Sequence, residues 1–459
     1  MAFSTPISAQ KCRLVTLGCK VNQYESQHVK EALEAHGWSE AHEGESADLC
    51  VVNTCTVTME GDAKSRQWIR RLHKQNPQAR IVVMGCYATR DPDRVGKLPG
   101  VTKVIVDKAK LGEELSEFGV VEMPAGITRF DGHQRAFVKV QDGCLLNCSY
   151  CIIPSVRPVV RSREVEAIAD EVSELVAGGC QEIVLTGVHL GHYGIDLSKG
   201  RAKAEWRRLW HLLDRLDRLP GAFRIRLSSL EAAEARDDLI ETMARCRRVA
   251  PHLHLCLQSG SDRILERMKR RYRSAGFMER CRRIREKLDQ PAFTTDVIVG
   301  FPGETEADFQ ATMDVACAVG FAKMHLFSYS PREGAPAATF GSQVAPQVME
   351  ERRRRLVELE RTLADQYRRR LLGRELTVLV EGPDPHRPGR VIGTTCRSVQ
   401  ASLRGYAPAL LRKLANVRIE AVDGDMLLGE PLFEPQGLPD PHVANAMGAK
   451  SRISLPIAS

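Results

Sequence analysis

The sequence predicts an α/β chain in three parts: an N-terminal βαβ domain, a partial (β/α)6 barrel and a small C-terminal β-barrel. Three observations predict it. Apolar strand-like runs alternate with helix-like stretches through the first ninety residues, and six more strand runs alternate with helices over the next two hundred. Beyond a long helix, short strand signals are broken by Gly and Pro. A length of 459 residues suits two or three domains, and a 43% hydrophobic content is enough to fill their cores.

The N-terminal domain is expected over residues 11–125. Residues 13–17, 48–53 and 80–84 are rich in Val, Leu or Ile, as buried parallel strands are, and residues 23–36 and 62–75 read as helices. Right-handed βαβ crossovers bring the loops that leave neighbouring strands to one edge of the sheet. Each of the three runs ends at a cysteine: Cys19, Cys55 and Cys86. A stretch containing Gly and Pro at 123–132 reads as a linker.

The barrel domain is expected over residues 130–372, with strands at 136–140, 182–186, 224–228, 252–258, 295–299 and 324–327. Such barrels open their active sites at the carboxyl ends of the strands. A long helix at 347–372 carries Met349, Leu356, Leu359, Leu363, Tyr367 and Leu371 on one stripe. The small barrel is expected over 373–434, with strands at 376–381 and 417–422, and residues 435–459 are expected to be a flexible tail. No internal repeat is visible.

Composition excludes some classes. No stretch reaches the roughly 20 apolar residues of a membrane span, and residues 1–10 lack a secretory pattern, so the cytosol is the expected compartment. The net charge of +8 comes from 66 basic and 58 acidic residues, a mild excess that is compatible with a polyanion without identifying one. Residues 263–287 hold eleven Lys or Arg against three Glu, and residues 352–355 and 368–370 add arginines to the long helix. Counterion release could bind a polyanion there. A solvated helix face is the plainer reading.

Fourteen cysteines in a large chain without an export signal point to metal or redox chemistry rather than disulfides. The sharpest motif is Cys144-Leu-Leu-Asn-Cys148-Ser-Tyr-Cys151, closely following a strand. Three thiolates on one short loop can hold three irons of a cubane cluster and leave the fourth iron free for a small molecule. Structural zinc takes four ligands, and residues 152–163 supply no further Cys or His. Cys19, Cys55 and Cys86 are too far apart for a local finger, but the strand-end reading lets them share a second cluster. Core burial is the alternative for them, and it is the reading adopted for Cys12, Cys50, Cys180, Cys246, Cys256, Cys281, Cys317 and Cys396.

The C-x3-C-x2-C run resembles the radical S-adenosylmethionine superfamily. Further stretches at strand ends follow in the order seen in methylthiotransferases: Leu185-Thr-Gly-Val-His-Leu-Gly-His-Tyr-Gly194, Arg226-Leu-Ser-Ser-Leu-Glu231, Leu257-Gln-Ser-Gly-Ser-Asp262 and Asp296-Val-Ile-Val-Gly-Phe-Pro-Gly-Glu304. With Leu17-Gly-Cys-Lys-Val-Asn-Gln-Tyr-Glu-Ser26, Val52-Asn-Thr-Cys-Thr-Val57 and Gly85-Cys-Tyr-Ala88, the resemblance to the methylthiotransferase family spans about residues 12–434. Residues 20–26 are most similar to the branch that acts on N6-threonylcarbamoyladenosine of transfer RNA, next to the anticodon. The other branches act on isopentenyladenosine or on a ribosomal protein aspartate.

The resemblance implies a radical barrel, an auxiliary-cluster domain and a TRAM-like terminal barrel. It implies two 4Fe-4S clusters, one on Cys19, Cys55 and Cys86 and one on Cys144, Cys148 and Cys151, with S-adenosylmethionine as co-substrate. Tyr150, Thr186, Gly187, Ser228, Gln258 and Gly300 are the residues it assigns to the S-adenosylmethionine pocket. No side chain beyond the cluster ligands is assigned a catalytic role. Transfer RNA is the implied substrate, and an electron donor such as flavodoxin or ferredoxin and an unspecified sulfur donor are the implied partners. A non-catalytic iron–sulfur RNA-binding or redox-sensing protein is the rival from another class, and it has no need of the later strand-end motifs.

The sequence departs from the family pattern at Arg157-Pro158, where Arg-Gly is usual, at Ala232, and at Glu333 and Ala335. The terminal barrel carries eight Lys or Arg against seven Asp or Glu, with Tyr406 as its only Tyr or Trp.

Overall fold

A computed structural model describes residues 10–432. The expected tail at 435–459 lies outside the described residues. Five strands form an N-terminal sheet: β1 (Lys11–Thr16), β2 (Ser39–Glu40), β3 (Leu49–Thr54), β4 (Arg80–Gly85) and β5 (Val101–Val104). All pairings are parallel, in the order β2-β1-β3-β4-β5. Alternation along β3 fills two cores. Leu49 and Val51 pack with Val29 and Leu33 of the helix Lys20–Ala35, and Cys50 and Val52 pack with Ile69 and Leu72 of the helix Met59–Gln75. Burial on both faces is why these strands read as continuous apolar runs.

The central region carries β6 (Ala136–Asp142), β7 (Arg161–Ser162), β8 (Glu182–Gly187), β9 (Arg224–Leu227), β10 (His252–His254), β11 (Ala292–Val299) and β12 (Lys323–Ser328). Strands β6, β8 and β9 pair in parallel, as do β10, β11 and β12, while β7 lies antiparallel to the end of β6. Parallel bridges at Ile225–Val249 and Leu230–Leu255 join the two sets, so the six expected strands make one partial barrel. The helices that return the chain pack their apolar sides on it, through Ile168, Leu212, Ile240, Phe277 and Phe309.

Five further strands, β13 (Glu375–Pro383), β14 (Arg390–Thr395), β15 (Gln400–Arg404), β16 (Leu414–Asp423) and β17 (Met426–Pro431), close into a small barrel in the order β13-β14-β15-β17-β16. The chain divides into two compact units after Arg370. The N-terminal sheet and the partial barrel lie together in the first, although the sequence reading treats them as separate domains. No helix among the described residues is long and apolar enough to cross a membrane.

Gly85 ends β4 at φ +99°, and a Cβ there would lie 2.4 Å from the Thr54 carbonyl oxygen. Gly37 has a similar φ of +90° but faces open space. Gly85→Ala is therefore expected to destabilise by roughly 3 kcal/mol or more, and Gly37→Ala by about 1 kcal/mol. Urea unfolding checks the pair, and equal costs would show that the contact at Gly85 is relieved without strain.

Candidate active site

The ends of β1, β3 and β4 are neighbours in the sheet, so Cys19, Cys55 and Cys86 leave it side by side. Cys19 stands at the N-terminus of the helix Lys20–Ala35, and Cys86 opens the short helix Cys86–Arg90. Asn22 ties the first two loops together by donating to the carbonyls of Leu17 at 2.8 Å and Thr54 at 3.1 Å. Gly18 allows the close approach: a Cβ on it would meet the Cys55 sulfur at 3.1 Å. Burial pushes the Cys55 thiol up to about 11, and Cys19 and Cys86 are near enough to add to the rise.

The second set leaves β6. Gly143, at φ +80°, runs so close to the returning chain that a Cβ would lie 2.0 Å from the Val159 carbonyl oxygen. The loop is held by bonds from Ser149 N to Met268 O and from Ala337 N to Ser149 O, at 3.1 and 2.7 Å. The amides of Leu146 and Ile153 donate to the sulfurs of Cys144 and Cys151, each at 3.4 Å, and Arg270 donates to the Cys148 sulfur at 3.3 Å. Burial pushes the Cys151 thiol up to about 12, with Cys148 and Cys144 raising it further. All six cysteines are free thiols. Amide and guanidinium donors aimed at sulfur fit thiolates that ligate a metal cluster, because hydrogen bonds to the sulfurs stabilise their charge.

One residue touches both sets. The Arg157 carbonyl accepts from the Cys144 amide at 3.1 Å, and its Nε donates to the Cys86 sulfur at 3.3 Å. The rest of the guanidinium donates to Glu25 at 2.8 and 2.9 Å, to Asp142 at 2.8 and 2.9 Å, and to Asn22 at 3.2 Å. Lys139 joins Glu25 at 2.7 Å and Asp142 at 2.5 Å. Burial alone would raise the Glu25 carboxyl, but Arg157, Lys139 and Lys108 outweigh it and hold it well below the carboxylate range. Asp142 is likewise pushed down to about 2 by Lys139 and Arg157, against the effect of burial. A cavity of about 620 Å³ opens beside this network, lined by Glu25, Lys108, Lys139, Asp142 and Arg157 among others.

A second clasp joins the modules. Arg332, beyond β12, donates to Thr56 Oγ1 and to Asp62 at 2.5 and 2.7 Å. Its neighbour Glu333, one of the departures from the family pattern, accepts from Arg90 at 2.8 Å.

The residues assigned to the S-adenosylmethionine pocket fall on successive strand ends. Thr186 and Ser228, on the ends of β8 and β9, share a 3.4 Å hydrogen bond. Gly187 sits against Gln141 of β6, where a Cβ would lie 2.8 Å from Oε1. Tyr150 packs against a cluster of Ile264, Met268, Phe301 and Tyr329. Gln258 adopts φ +61°, with its amide bonded to the Asp296 carbonyl. Gly300 is pressed by the long helix, since a Cβ would lie 2.2 Å from Met349 Cγ, and that contact explains the glycine through packing.

The core reading holds for Cys12, Cys50, Cys246, Cys281 and Cys396, all buried. It fails for three others. Cys317 is exposed on its helix, Cys180 is half-buried, and half-buried Cys256 directs its sulfur to Asp296 at 3.8 Å. Sequence reasoning missed Arg157 as a bridge, Arg270 as a donor to sulfur, and Gln141, whose amide nitrogen donates to the carbonyls of Asp142 and Gly143 at 2.6 and 2.5 Å.

A partial parallel barrel with three thiols on one loop at its mouth defines a radical S-adenosylmethionine enzyme. Residues 138–316 match the Radical SAM superfamily, and residues 11–107 match a family described as Uncharacterized protein family UPF0004. The chain is 37% identical over 422 residues to the threonylcarbamoyladenosine tRNA methylthiotransferase MtaB of Chlamydia pneumoniae, covering 91% of this chain and 97% of that one. It is 39% identical over 370 residues to the protein of that name from Bacillus subtilis, covering 77% and 80%. The tRNA-2-methylthio-N(6)-dimethylallyladenosine synthase of Aquifex aeolicus is 34% identical over 448 residues, covering 92% and 99%. In fold, the chain is similar to the radical S-adenosylmethionine methyltransferase TsrM of Kitasatospora setae, with a TM-score of 0.53 and 16% identity over 72% of this chain and 75% of that one. This chain belongs to the radical SAM methylthiotransferase family.

Two outcomes follow from the Arg157 network. Arg157→Met strands Glu25 and Asp142, and is expected to cost about 3–5 kcal/mol in denaturant unfolding, whereas loss of a surface pair would cost under about 1 kcal/mol. Both carboxyls have depressed pKa values in the fold, so their contribution is complete above their unfolded values near pH 4 and is lost as pH falls toward about 2. Acid titration of unfolding stability should show that fall in the wild type and a smaller one in Arg157→Met.

Proposed function

We propose that this chain converts N6-threonylcarbamoyladenosine of transfer RNA to its 2-methylthio derivative. The observation that carries the reading is the pair of cysteine triads bridged by Arg157, one from three strand tips and one from a single loop. The choice of base rests on family membership together with four relatives named for threonylcarbamoyladenosine, at 35–39% identity.

In this reading Cys144, Cys148 and Cys151 hold one 4Fe-4S cluster, and Cys19, Cys55 and Cys86 hold a second. The chemistry these groups supply when bound is one-electron cleavage of S-adenosylmethionine and delivery of a methylated sulfur to C2 of the adenine. The protein places one guanidinium against each triad, Arg270 at Cys148 and Arg157 at Cys86, and each offsets thiolate charge. Thr186, Gly187, Ser228 and Gln258, with Tyr150 and the backbone at Gly300, frame the S-adenosylmethionine site. Gln141 couples that frame to the cysteine loop: its carbonyl oxygen accepts from the His189 amide at 2.9 Å, while its NH2 group holds the chain at Gly143. A one-electron donor of the flavodoxin or ferredoxin kind is needed, and the enzyme works in the cytosol.

Anaerobically reconstituted protein is expected to hold about eight irons, the content of two cubanes. Replacing Cys19, Cys55 and Cys86 together by Ala should leave about four. Four irons in the wild type, unchanged by that substitution, would remove the second cluster. Nucleoside mass spectrometry of transfer RNA from cells with and without the gene should show loss of methylthio-threonylcarbamoyladenosine. Loss of methylthio-isopentenyladenosine instead would assign the chain to the other RNA branch.

A further inference from the structure

The basic run at 263–287 is largely neutralised within the fold. Arg263 pairs with Asp308, Arg270 and Arg271 with Glu231, Arg280 and Arg283 with Asp237, and Arg282 with Glu279. On the long helix Arg352 and Arg355 pair with Glu306, Arg354 with Glu351, and Arg369 with Asp365. These pairs leave little of either run to attract a polyanion.

Two other cations are not neutralised in this way. Arg208 donates to uncharged oxygens only: Gly194 O at 2.5 Å, Ser198 Oγ at 2.8 Å and Arg207 O at 3.1 Å. Arg236 makes no side-chain hydrogen bond or ion pair among the described residues. Both line a cavity of about 170 Å³ together with Trp210, Glu234 and Arg271. Three guanidiniums there face one carboxylate, which Arg271 already engages, leaving an excess of two positive charges. Burial pushes the Arg208 pKa down, and the charge of Arg236 pushes it further, as expected of two cations close together.

The cavity sits where RNA would meet the active site. Arg208 ends the segment that leaves β8, and Arg236 ends the one that leaves β9, so both lie beyond the same strand ends as the cysteine loop. Arg271 follows Arg270, the residue that donates to the Cys148 sulfur. The Arg208 guanidinium lies 4.8 Å from the centre of the Trp206 ring, and Trp210 lines the cavity wall. Cations interleaved with aromatic rings suit a nucleotide chain better than an acidic peptide, because phosphate and base are both served.

We propose that this rim cavity, built on Arg208, Arg236, Arg271 and Trp210, binds a backbone phosphate of the substrate RNA and steadies the strand that presents the base. The proposal rests on the functional reading above. The contact is made to the backbone and carries no information about the modified base.

The test measures transfer RNA binding against salt, using reconstituted wild-type protein, R208Q/R236Q and R208K/R236K. The glutamine variant should bind roughly tenfold more weakly, with the slope of log affinity against log salt shallower by about two, one per lost cation. The loss should be equal for transfer RNA with and without threonylcarbamoyladenosine, and the lysine variant should keep the wild-type slope. Iron content and RNA-independent cleavage of S-adenosylmethionine should match the wild type. An unchanged slope, weaker binding without a slope change, or a loss confined to the modified RNA would each overturn the proposal. Wild-type protein that binds transfer RNA with the expected slope but does not methylthiolate it would instead refute the functional reading and leave the phosphate contact standing. Wild-type protein that binds no transfer RNA would refute both.

Discussion

The Arg157 guanidinium, buried between two carboxylates and a sulfur, is the interaction on which the rest of the molecule depends. An arginine in that position has lost its hydration, so Glu25, Asp142 and Asn22 must supply every bond that water no longer gives. Glu25 belongs to the N-terminal sheet module, and Asp142 ends the first barrel strand. Arg157 itself lies just past the second cysteine set, with its Nε on a member of the first. Satisfying one buried charge thus fixes how two modules and two sets of thiols face each other. Arg332, on Thr56 and Asp62, adds a second fixed point far along the chain.

Parallel topology does the remaining work. Strands that all run the same way deliver their loops to one edge, and both modules use this to gather residues far apart in sequence. In the first module it brings together Cys19, Cys55 and Cys86. In the barrel it aligns the cysteine loop with Thr186, Ser228 and the rim cavity at Arg208 and Arg236. The donors to sulfur come from three different places: the loop's own amides, Arg270 beyond β10, and Arg157.

Much of this was legible in the sequence. The alternation of strand and helix predicts the parallel sheet and the six barrel strands, because burial on both faces leaves continuous apolar runs. The strand ends predict the cysteine trio, and the tight C-x3-C-x2-C spacing marks the loop. The illegible parts are those set by contact rather than pattern. Strands β2 and β5 are short edge strands with little apolar signal. Arg157 reaches a partner 71 positions away, and nothing local distinguishes it from a surface arginine. The basic run at 263–287 suggests a binding surface, yet its partners Asp237, Glu231 and Asp308 lie on other elements and cancel it. Arg208 and Arg236, by contrast, stand in unremarkable sequence and acquire meaning only from the cavity they share. Gly300 resembles a ligand-approach glycine, but Met349 of the long helix occupies the space a side chain would need.

The central claim is that both sets of thiols hold clusters that face each other across one mouth, and magnetic interaction between the clusters tests it most directly. Electron paramagnetic resonance of the fully reduced protein should show spin–spin coupling, and that coupling should vanish when Cys19, Cys55 and Cys86 are replaced while the barrel cluster's own signal remains. Two reduced clusters giving independent, uncoupled signals in the wild type would contradict the arrangement.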